Sequence, residues 1–312
     1  MGPKPRHYSL LLALCLAPST ILAQERFVAE TMAKSGSSYG DSPASKKTAS
    51  PILPEGRLEV GGELVFLTAK RDLALTPLNF SDVALFPLHV RASPSRWLEL
   101  AAGTSLLAKQ AETMDESLWQ GSDLALRVPF GAAFAGTVHG ALGPLLNDQG
   151  LWWQGESSLL GRFEANEFLR FELRAGYTLT ALRYDETASP NAWIHEVMTH
   201  AEVQFSGEYG GAWVGVDYYV PVASGPGGST AERPGLDPNV RLNLEVGAVL
   251  SPRRTNWDLY AAYVIVDRGD VGRPETTLPI LNGGFDQRLM LLGVQHHFDL
   301  RKKRDESRDP WQ

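Results

Sequence analysis

The amino-acid sequence predicts an all-β protein, a closed, antiparallel, up-and-down transmembrane β-barrel of about twelve strands. Three observations lead to this prediction. Apolar and polar residues alternate with the period of a strand, the alternating segments are long, and the connections between them are alternately short and long. Ordinary strands have about five or six residues, whereas a tilted membrane strand needs about nine to eleven. Soluble sandwiches also alternate, so strand length and connection length decide between the two architectures.

Residues 1–23 have the features of an export signal peptide. Lys4 and Arg6 give a basic start, an apolar run covers Leu10–Ala17, and small residues lead to a cleavage position after Ala23. The apolar run is too short to cross a bilayer as a helix. We therefore expect an exported chain from which this segment is removed.

Composition narrows the classes of partner. The chain has 29 Lys and Arg against 36 Asp and Glu, a formal net charge of −7. This acidity argues against nucleic acid as a partner, because a phosphate binder needs a basic face. The single cysteine, Cys15, lies in the predicted signal, so the mature chain has neither disulfides nor cysteine-based metal sites. No cofactor and no metal are expected.

Residues 24–55 are predicted to be a flexible periplasmic segment. The stretch Ser35–Pro54 is rich in Ser, Gly, Lys and Pro and has few large apolar residues to bury. The predicted barrel follows over 56–298, and a charged periplasmic tail covers 299–312.

The alternation begins at Arg57 and defines twelve segments. It is clearest in 168–184, where Leu169 and Phe171 alternate with Arg170 and Glu172. An even number of strands returns the chain to the side from which it started. The predicted strands cover 57–70, 82–92, 96–109, 118–130, 132–146, 151–164, 168–184, 192–206, 211–223, 239–251, 256–267 and 285–298.

The connections predict which end of the barrel is which, because outer-membrane barrels have short periplasmic turns and longer external loops. The connection at 147–150 is an exception, since it is short where a long one is expected. Short turns are predicted at 93–96, 130–132, 164–167, 207–210 and 251–255. Longer connections are predicted near 71–82, 111–117, 185–191, 223–238 and 268–284.

Proline and aromatic residues add two further expectations. Pro87 lies inside the second predicted strand, and a closed barrel has no edge that could accommodate it. We expect a bulge at Pro87, or else a break that would lower the strand count. Aromatic side chains near strand ends are predicted to form girdles at the membrane interfaces, namely Trp97, Trp152, Trp153, Phe163, Trp193, Phe205, Trp257 and Tyr263.

The last strand carries a family resemblance. Met290, Leu292, Val294 and Phe298 resemble the closing strand of bacterial outer-membrane β-barrels, which alternates and commonly ends on an aromatic residue. The resemblance covers roughly 56–298 at the level of architecture. Two departures are that His296 takes an apolar position and that a charged tail follows. The resemblance implies a porin-like class and a location in the outer membrane of a Gram-negative bacterium.

The polar faces of the predicted strands would line the interior of the barrel. One reading is a pore lining whose transverse field selects polar solutes, and the other is a set of ion pairs that cross-link neighbouring strands. The charges favour neither, because both arrangements keep them out of lipid, but small inward residues such as Ala101, Gly103 and Ser105 slightly favour open space. The candidate pore-lining residues are Glu99, Arg127, Glu156, Arg170, Glu172, Arg174, Arg241 and Glu245.

Signals for catalysis are weak. His195, Glu196 and His200 are similar to a zinc-protease motif, but the second histidine is five residues on and faces the other side of a strand. No catalytic residue is assigned, and the chain is not expected to be an enzyme.

The leading prediction is a porin-like channel for small polar solutes. Its expected partners are outer-membrane lipid, small polar solutes and the barrel-assembly machinery. One alternative is a non-channel barrel with a structural, assembly or surface-binding role. A second alternative is an outer-membrane enzyme that acts on lipid.

Overall fold

The computed structural model describes residues 50–69, 83–109, 118–144, 150–184, 192–225, 240–252, 255–268 and 287–301. These residues form one closed antiparallel barrel in which every strand pairs with its neighbours in the sequence. The strands are β1 (Arg57–Ala69), β2 (Val83–Ser95), β3 (Leu98–Lys109), β4 (Trp119–Pro129), β5 (Phe134–Pro144), β6 (Gly150–Glu164), β7 (Leu169–Tyr184), β8 (Ala192–Gly207), β9 (Gly210–Ser224), β10 (Arg241–Leu250), β11 (Trp257–Arg268) and β12 (Gln287–Asp299).

The barrel closes between its first and last strands. β1 and β12 pair without interruption from Arg57 opposite Asp299 to Ala69 opposite Gln287. Closure leaves no strand edge with unpaired backbone groups, which is the condition for a sheet to lie in lipid. The predicted fold class and the predicted number of strands are therefore confirmed.

The two faces of the barrel differ in the sense expected for a membrane protein. Charged side chains point inward and are buried, as in Glu59 at 2% and Arg91 at 1% exposure. Apolar side chains point outward and are exposed, as in Leu124 at 64% and Val138 at 61%. A soluble barrel would reverse this pattern. Within the described ranges, no helix is long and apolar enough to cross a membrane.

The two ends of the barrel differ in their connections. At one end, which we call the short-turn end, the chain enters β1 and leaves β12. The connections at this end are 96–97, 130–133, 165–168, 208–209 and 251–256, as predicted. The opposite end, which we call the long-connection end, carries 70–82, 110–118, 145–149, 185–191, 225–240 and 269–286. Most residues of that second set lie outside the described part of the chain.

Pro87 does not break its strand. It lies in the middle of β2, points inward and faces Ser105 of β3. The predicted bulge is not at Pro87, because the nearest irregularity falls between Ala84 and Leu85. On the other side of β2, the pairing with β1 skips two residue pairs between Leu88 and Leu85 and then resumes in the same register. Pro87, which has no backbone N–H, is thus accommodated by a local interruption of the pairing between β1 and β2.

Most of the aromatic residues predicted for the girdles are exposed on the outer face, namely Trp97, Trp153, Phe163, Phe205 and Trp257. Trp152 is a correction, because its side chain is fully buried inside the barrel. Consecutive residues of a strand point to opposite faces, so Trp152 and Trp153 cannot both face lipid. His296 is part of this outer belt, since its ring packs between those of Trp257 and Phe298.

The ends of the chain are described only in part. The predicted signal at 1–23, the predicted segment up to residue 49 and the tail from residue 302 lie outside the described residues. Residues 50–53, which belong to the predicted flexible segment, are described and have buried or partly buried side chains within the barrel.

Candidate functional site: the interior of the barrel

All eight candidate residues occupy inward-facing positions. Glu99, Arg127, Glu156, Arg170, Glu172 and Arg241 are buried, and Arg174 and Glu245 are partly buried. Five of the twelve strands supply them, and a strand can supply several because every second residue points to the interior. Their surroundings differ from one part of the interior to another.

The first group lies on β1 to β4 at the short-turn end. Arg91 donates to Glu99 at 2.8 Å and lies 3.5 Å from Glu59, and Arg127 lies 3.6 Å from Glu99. All four side chains are at most 2% exposed. We call them the β1–β4 network. Two carboxylates and two guanidinium groups balance each other there, which offsets much of the cost of removing them from water.

The second group lies on β6 to β8. Arg162 donates to Glu172 at 2.7 Å, and Arg174 donates to the other oxygen of the same carboxylate at 3.3 Å. The amide of Gln204 contacts Glu172 at 3.4 Å and donates to Glu202 at 2.8 Å. We call these five side chains the β6–β8 network. Of the candidate residues, this network joins Glu172 to Arg174.

Arg170 has a different environment at the rim of the short-turn end. Its guanidinium group donates to Glu164 at 3.3 Å and to the hydroxyl of Ser206 at 3.1 Å. The Glu164 side chain is 41% exposed, so this pair lies at the boundary with solvent. None of the contacts described for Arg170 joins it to another candidate residue.

The interior nearer the long-connection end holds a third group. Arg241 stacks on the ring of Tyr219 at 3.7 Å and lies 3.6 Å from Glu196. His200 contacts Asp217 at 2.6 Å, and the Asn243 amide donates to the same carboxylate at 3.2 Å. Arg241 is the only candidate residue in these contacts.

Two large aromatic rings lie against the inner wall. The Trp213 indole N–H donates to Glu245 at 2.6 Å, and the Tyr260 hydroxyl donates to Glu63 at 2.5 Å. Each ring faces a glycine across the strand pair, Gly247 for Trp213 and Gly293 for Tyr260, and a Cβ at either glycine would collide with the ring. The glycines therefore let both rings lie flat beside the wall.

Sequence reasoning missed several interior residues. Glu196 was considered only as part of a zinc-protease motif, although its position in β8 places it on the inward face. Trp213 and Tyr260 were not identified because large aromatic residues were expected at the rims. The signal available in the sequence was their spacing in the strand, which gives each the same parity as the inward Asp217 or Asp258.

The two histidines of the motif-like segment lie on opposite faces, as predicted. His195 points outward, where its ring packs against Trp193 and its Nδ1 lies 2.5 Å from the Tyr177 hydroxyl. His200 points inward to Asp217. In the parts of the chain that the structure describes, no group of three or more His, Cys, Asp or Glu residues could hold a metal ion.

The arrangement of the interior side chains is better suited to hydrogen bonding with polar solutes than to catalysis. The interior offers carboxylates, guanidinium groups and amides from many strands, and most are held in place by their neighbours. A barrel of twelve strands is wider than one of about eight strands, whose interior is just filled by side chains. A polar solute in such a space can exchange hydrogen bonds with water for hydrogen bonds with the wall.

Comparisons with solved structures identify the same architecture in other proteins. The chain is similar to the translocator domain of the autotransporter NalP from Neisseria meningitidis, with a TM-score of 0.54 and 11% identity over 90% of this chain and 99% of that chain. It is also similar to an outer-membrane channel from Pseudomonas putida F1, with a TM-score of 0.51 and 11% identity over 79% of this chain and 97% of that chain. The NanC porin aligns with a TM-score of 0.48 and 11% identity over 77% of this chain and 98% of that chain.

At this level of identity the likeness concerns the fold. The predicted resemblance to outer-membrane β-barrels is confirmed at that level. No protein-family model and no curated protein matches the chain.

Proposed function

We propose that this chain is an outer-membrane channel for small polar solutes, with the short-turn end in the periplasm. The observation that carries the proposal is the contrast between the two faces of a closed barrel. The outer face is apolar, and the interior is lined by charged and amide side chains from many strands. Such a barrel encloses a polar path across an apolar layer.

The way in which large interior side chains are held also supports the use of this space for passage. The Trp213 and Tyr260 rings lie flat against the wall because glycines face them, and the guanidinium groups of Arg91 and Arg162 are held by carboxylates of the wall itself. Side chains that are held by the wall in this way are not free to swing across the interior.

A planar-bilayer recording tests the proposal. The refolded protein is expected to give discrete conductance steps in potassium chloride, and vesicles that contain it are expected to swell in small sugars or amino acids. Vesicles with the heat-unfolded protein serve as the control. A folded, inserted barrel without conductance or solute uptake would contradict the channel function.

The second candidate function is a non-channel barrel. The observation that favours it is the burial of the β1–β4 and β6–β8 networks, whose ion pairs cross-link neighbouring strands. In that case the interior side chains would stabilise the barrel, and the planar-bilayer recordings would show no conductance. We propose the channel because a barrel of twelve strands is wider than one of about eight strands, whose interior is just filled by side chains.

The location is tested by labelling. Cysteines are introduced singly at Ser229, between β9 and β10, and at Glu208, between β8 and β9, in a chain whose Cys15 is replaced by serine. An impermeant maleimide added to intact cells is expected to label the first site and not the second. Labelling of Glu208→Cys alone would show that the barrel has the opposite orientation in the membrane. Equal labelling of both sites would argue against an outer-membrane location.

A further inference from the structure

The chain turns into the barrel just before its first strand. The turn Pro54–Arg57 is closed by a hydrogen bond from the Arg57 N–H to the Pro54 carbonyl at 3.1 Å, and Gly56 takes a φ of 79°. The Gly56 N–H donates to the Ser93 carbonyl at 2.7 Å. These contacts fix the direction in which the preceding residues leave the wall.

Those preceding residues, Ser50–Leu53, lie inside the barrel. Pro51, Ile52 and Leu53 are buried, with Ile52 at 5% and Leu53 at 2% exposure. We call Ser50–Leu53 the strap. The strap belongs to a segment whose composition predicts flexibility, yet it is held at defined positions by the interior of the barrel.

Three inward side chains hold the strap, each from a different strand. The Leu53 N–H donates to Glu99 of β3 at 2.7 Å. Arg127 of β4 donates to the Pro51 carbonyl at 3.1 Å, and Arg162 of β6 donates to the Ser50 carbonyl at 2.8 Å. The contacts advance around the barrel as the chain is followed backwards. Because β6 is five strands from β1 in a ring of twelve, the strap, which leads into β1, is held by side chains from strands up to nearly half of the barrel's circumference away.

All three contacts are made to backbone atoms of the strap. The side chains that make them also belong to the β1–β4 and β6–β8 networks, since Arg127 lies 3.6 Å from Glu99 and Arg162 donates to Glu172. The carboxylates thus orient the guanidinium groups toward the strap carbonyls. These three side chains therefore form a site that binds the backbone of the strap.

We propose that the strap, Ser50–Leu53, binds this site as an internal ligand that closes the short-turn mouth of the barrel, and that it must leave the site before a solute can pass. The proposal rests on the channel function proposed above. It assigns Glu99, Arg127 and Arg162 a positioning role, in which they hold the strap rather than contact the solute.

The first test measures the strap without measuring transport. A cysteine at Ile52, in a chain with Cys15→Ser, is labelled in detergent with a water-soluble maleimide. Labelling is expected to be slow in the otherwise unchanged protein and at least tenfold faster when Arg127→Gln and Arg162→Gln are combined. Arg170→Gln is the matched control, because Arg170 is an inward arginine of the same end whose described hydrogen bonds are to Glu164 and Ser206.

A variant of the strap itself covers the case in which the double arginine variant does not fold. Leu53→Asp leaves every barrel residue unchanged and places a carboxylate next to Glu99, so it is expected to accelerate labelling of the Ile52→Cys site to a similar extent. Fast labelling in the unchanged protein, or equal rates in all folded variants, would overturn the proposal.

The second test records conductance of the same proteins. The Leu53→Asp and double arginine variants are expected to remain open for a larger fraction of time than the unchanged protein, and Arg170→Gln is not. If the variants change the labelling rate but no protein conducts, the result supports the binding of the strap inside the barrel and contradicts the proposed channel function. If all conduct equally while labelling responds, the strap does not close the mouth and the proposal is overturned.

Discussion

At the scale of single residues, the burial of a charged side chain and of its partners determines how much that side chain contributes to stability. Arg91 and Arg170 are both inward arginines near the short-turn end. The side chains of Arg91 and its partners Glu59 and Glu99 are at most 2% exposed, whereas Glu164, the partner of Arg170, is 41% exposed. Loss of Arg91 would leave two carboxylates buried together, but Glu164 can be solvated by water.

This contrast predicts different effects of one substitution. Arg91→Met is expected to lower the free energy of unfolding by up to about 3–5 kcal/mol, because it removes the cation that lies between two buried carboxylates. Arg170→Met is expected to lower it by less than about 1 kcal/mol, as for a pair that water reaches. Urea unfolding of the two variants in lipid vesicles, followed by tryptophan fluorescence, measures both. Equal effects would mean that water reaches the β1–β4 network freely.

The outer face provides a second residue-scale prediction. Leu124 is 64% exposed near the middle of β4, and Leu118 is 68% exposed just outside the same strand. Leu124→Arg is expected to cost about 2–4 kcal/mol in folding into lipid, and Leu118→Arg about 0–1 kcal/mol, because the penalty of a cation falls from the bilayer midplane to its interface. Comparison of the two variants in the same vesicles checks the depth of β4. Equal tolerance would show that this face does not contact lipid.

At the scale of elements, the short turns set the register of the hairpins. The turn between β4 and β5 contains Gly131, whose φ is 86° and around which nothing lies within 4 Å of a built Cβ. Gly155, within β6, also has nothing within 4 Å but no positive φ. Because a Cβ meets no steric obstacle at either glycine, a comparison of the two isolates the effect of the positive φ of Gly131.

Gly131→Ala is expected to destabilise the barrel by about 1–2 kcal/mol, since a left-handed φ costs that much for a residue with a Cβ. Gly155→Ala is expected to be neutral or stabilising by up to about 1 kcal/mol, because alanine loses less conformational freedom in a strand. Unfolding in urea distinguishes the two. A stable Gly131→Ala protein would indicate that the turn rearranges without cost.

At the scale of the whole molecule, the interior is acidic. Among the buried charged side chains of the described strands, nine are carboxylates and five are guanidinium groups. The carboxylates are Glu59, Glu63, Glu99, Asp123, Glu156, Glu172, Glu196, Glu202 and Asp258. Fixed charge of one sign in a confined path attracts counter-ions and repels co-ions. The interior should therefore favour cations.

A reversal-potential measurement in a potassium chloride gradient tests this expectation. The unchanged protein is expected to pass potassium in preference to chloride, and the combined Glu156→Gln and Glu196→Gln variant is expected to shift the reversal potential toward zero. Glu164→Gln is the control, because that carboxylate lies at the exposed rim. Preference for chloride in the unchanged protein would contradict the prediction.

Much of the architecture follows from the sequence alone. Strict alternation assigns Leu169 and Phe171 to one face and Arg170 and Glu172 to the other, because a strand has a period of two. The length of the strands and the even number of segments then imply closure in lipid, where no edge is tolerated. The inward placement of all eight candidate residues follows from the same parity.

Tertiary structure decided which inward residues meet. Gln295 donates to Glu59 at 2.8 Å across the closure of β12 on β1, although they are far apart in the chain. Such contacts depend on the register between strands and on the angle around the barrel, and a period of two determines neither. The strap shows the same limit, since the composition of its segment predicts flexibility. Only the barrel, by bringing Glu99, Arg127 and Arg162 together at one mouth, supplies the partners that hold it.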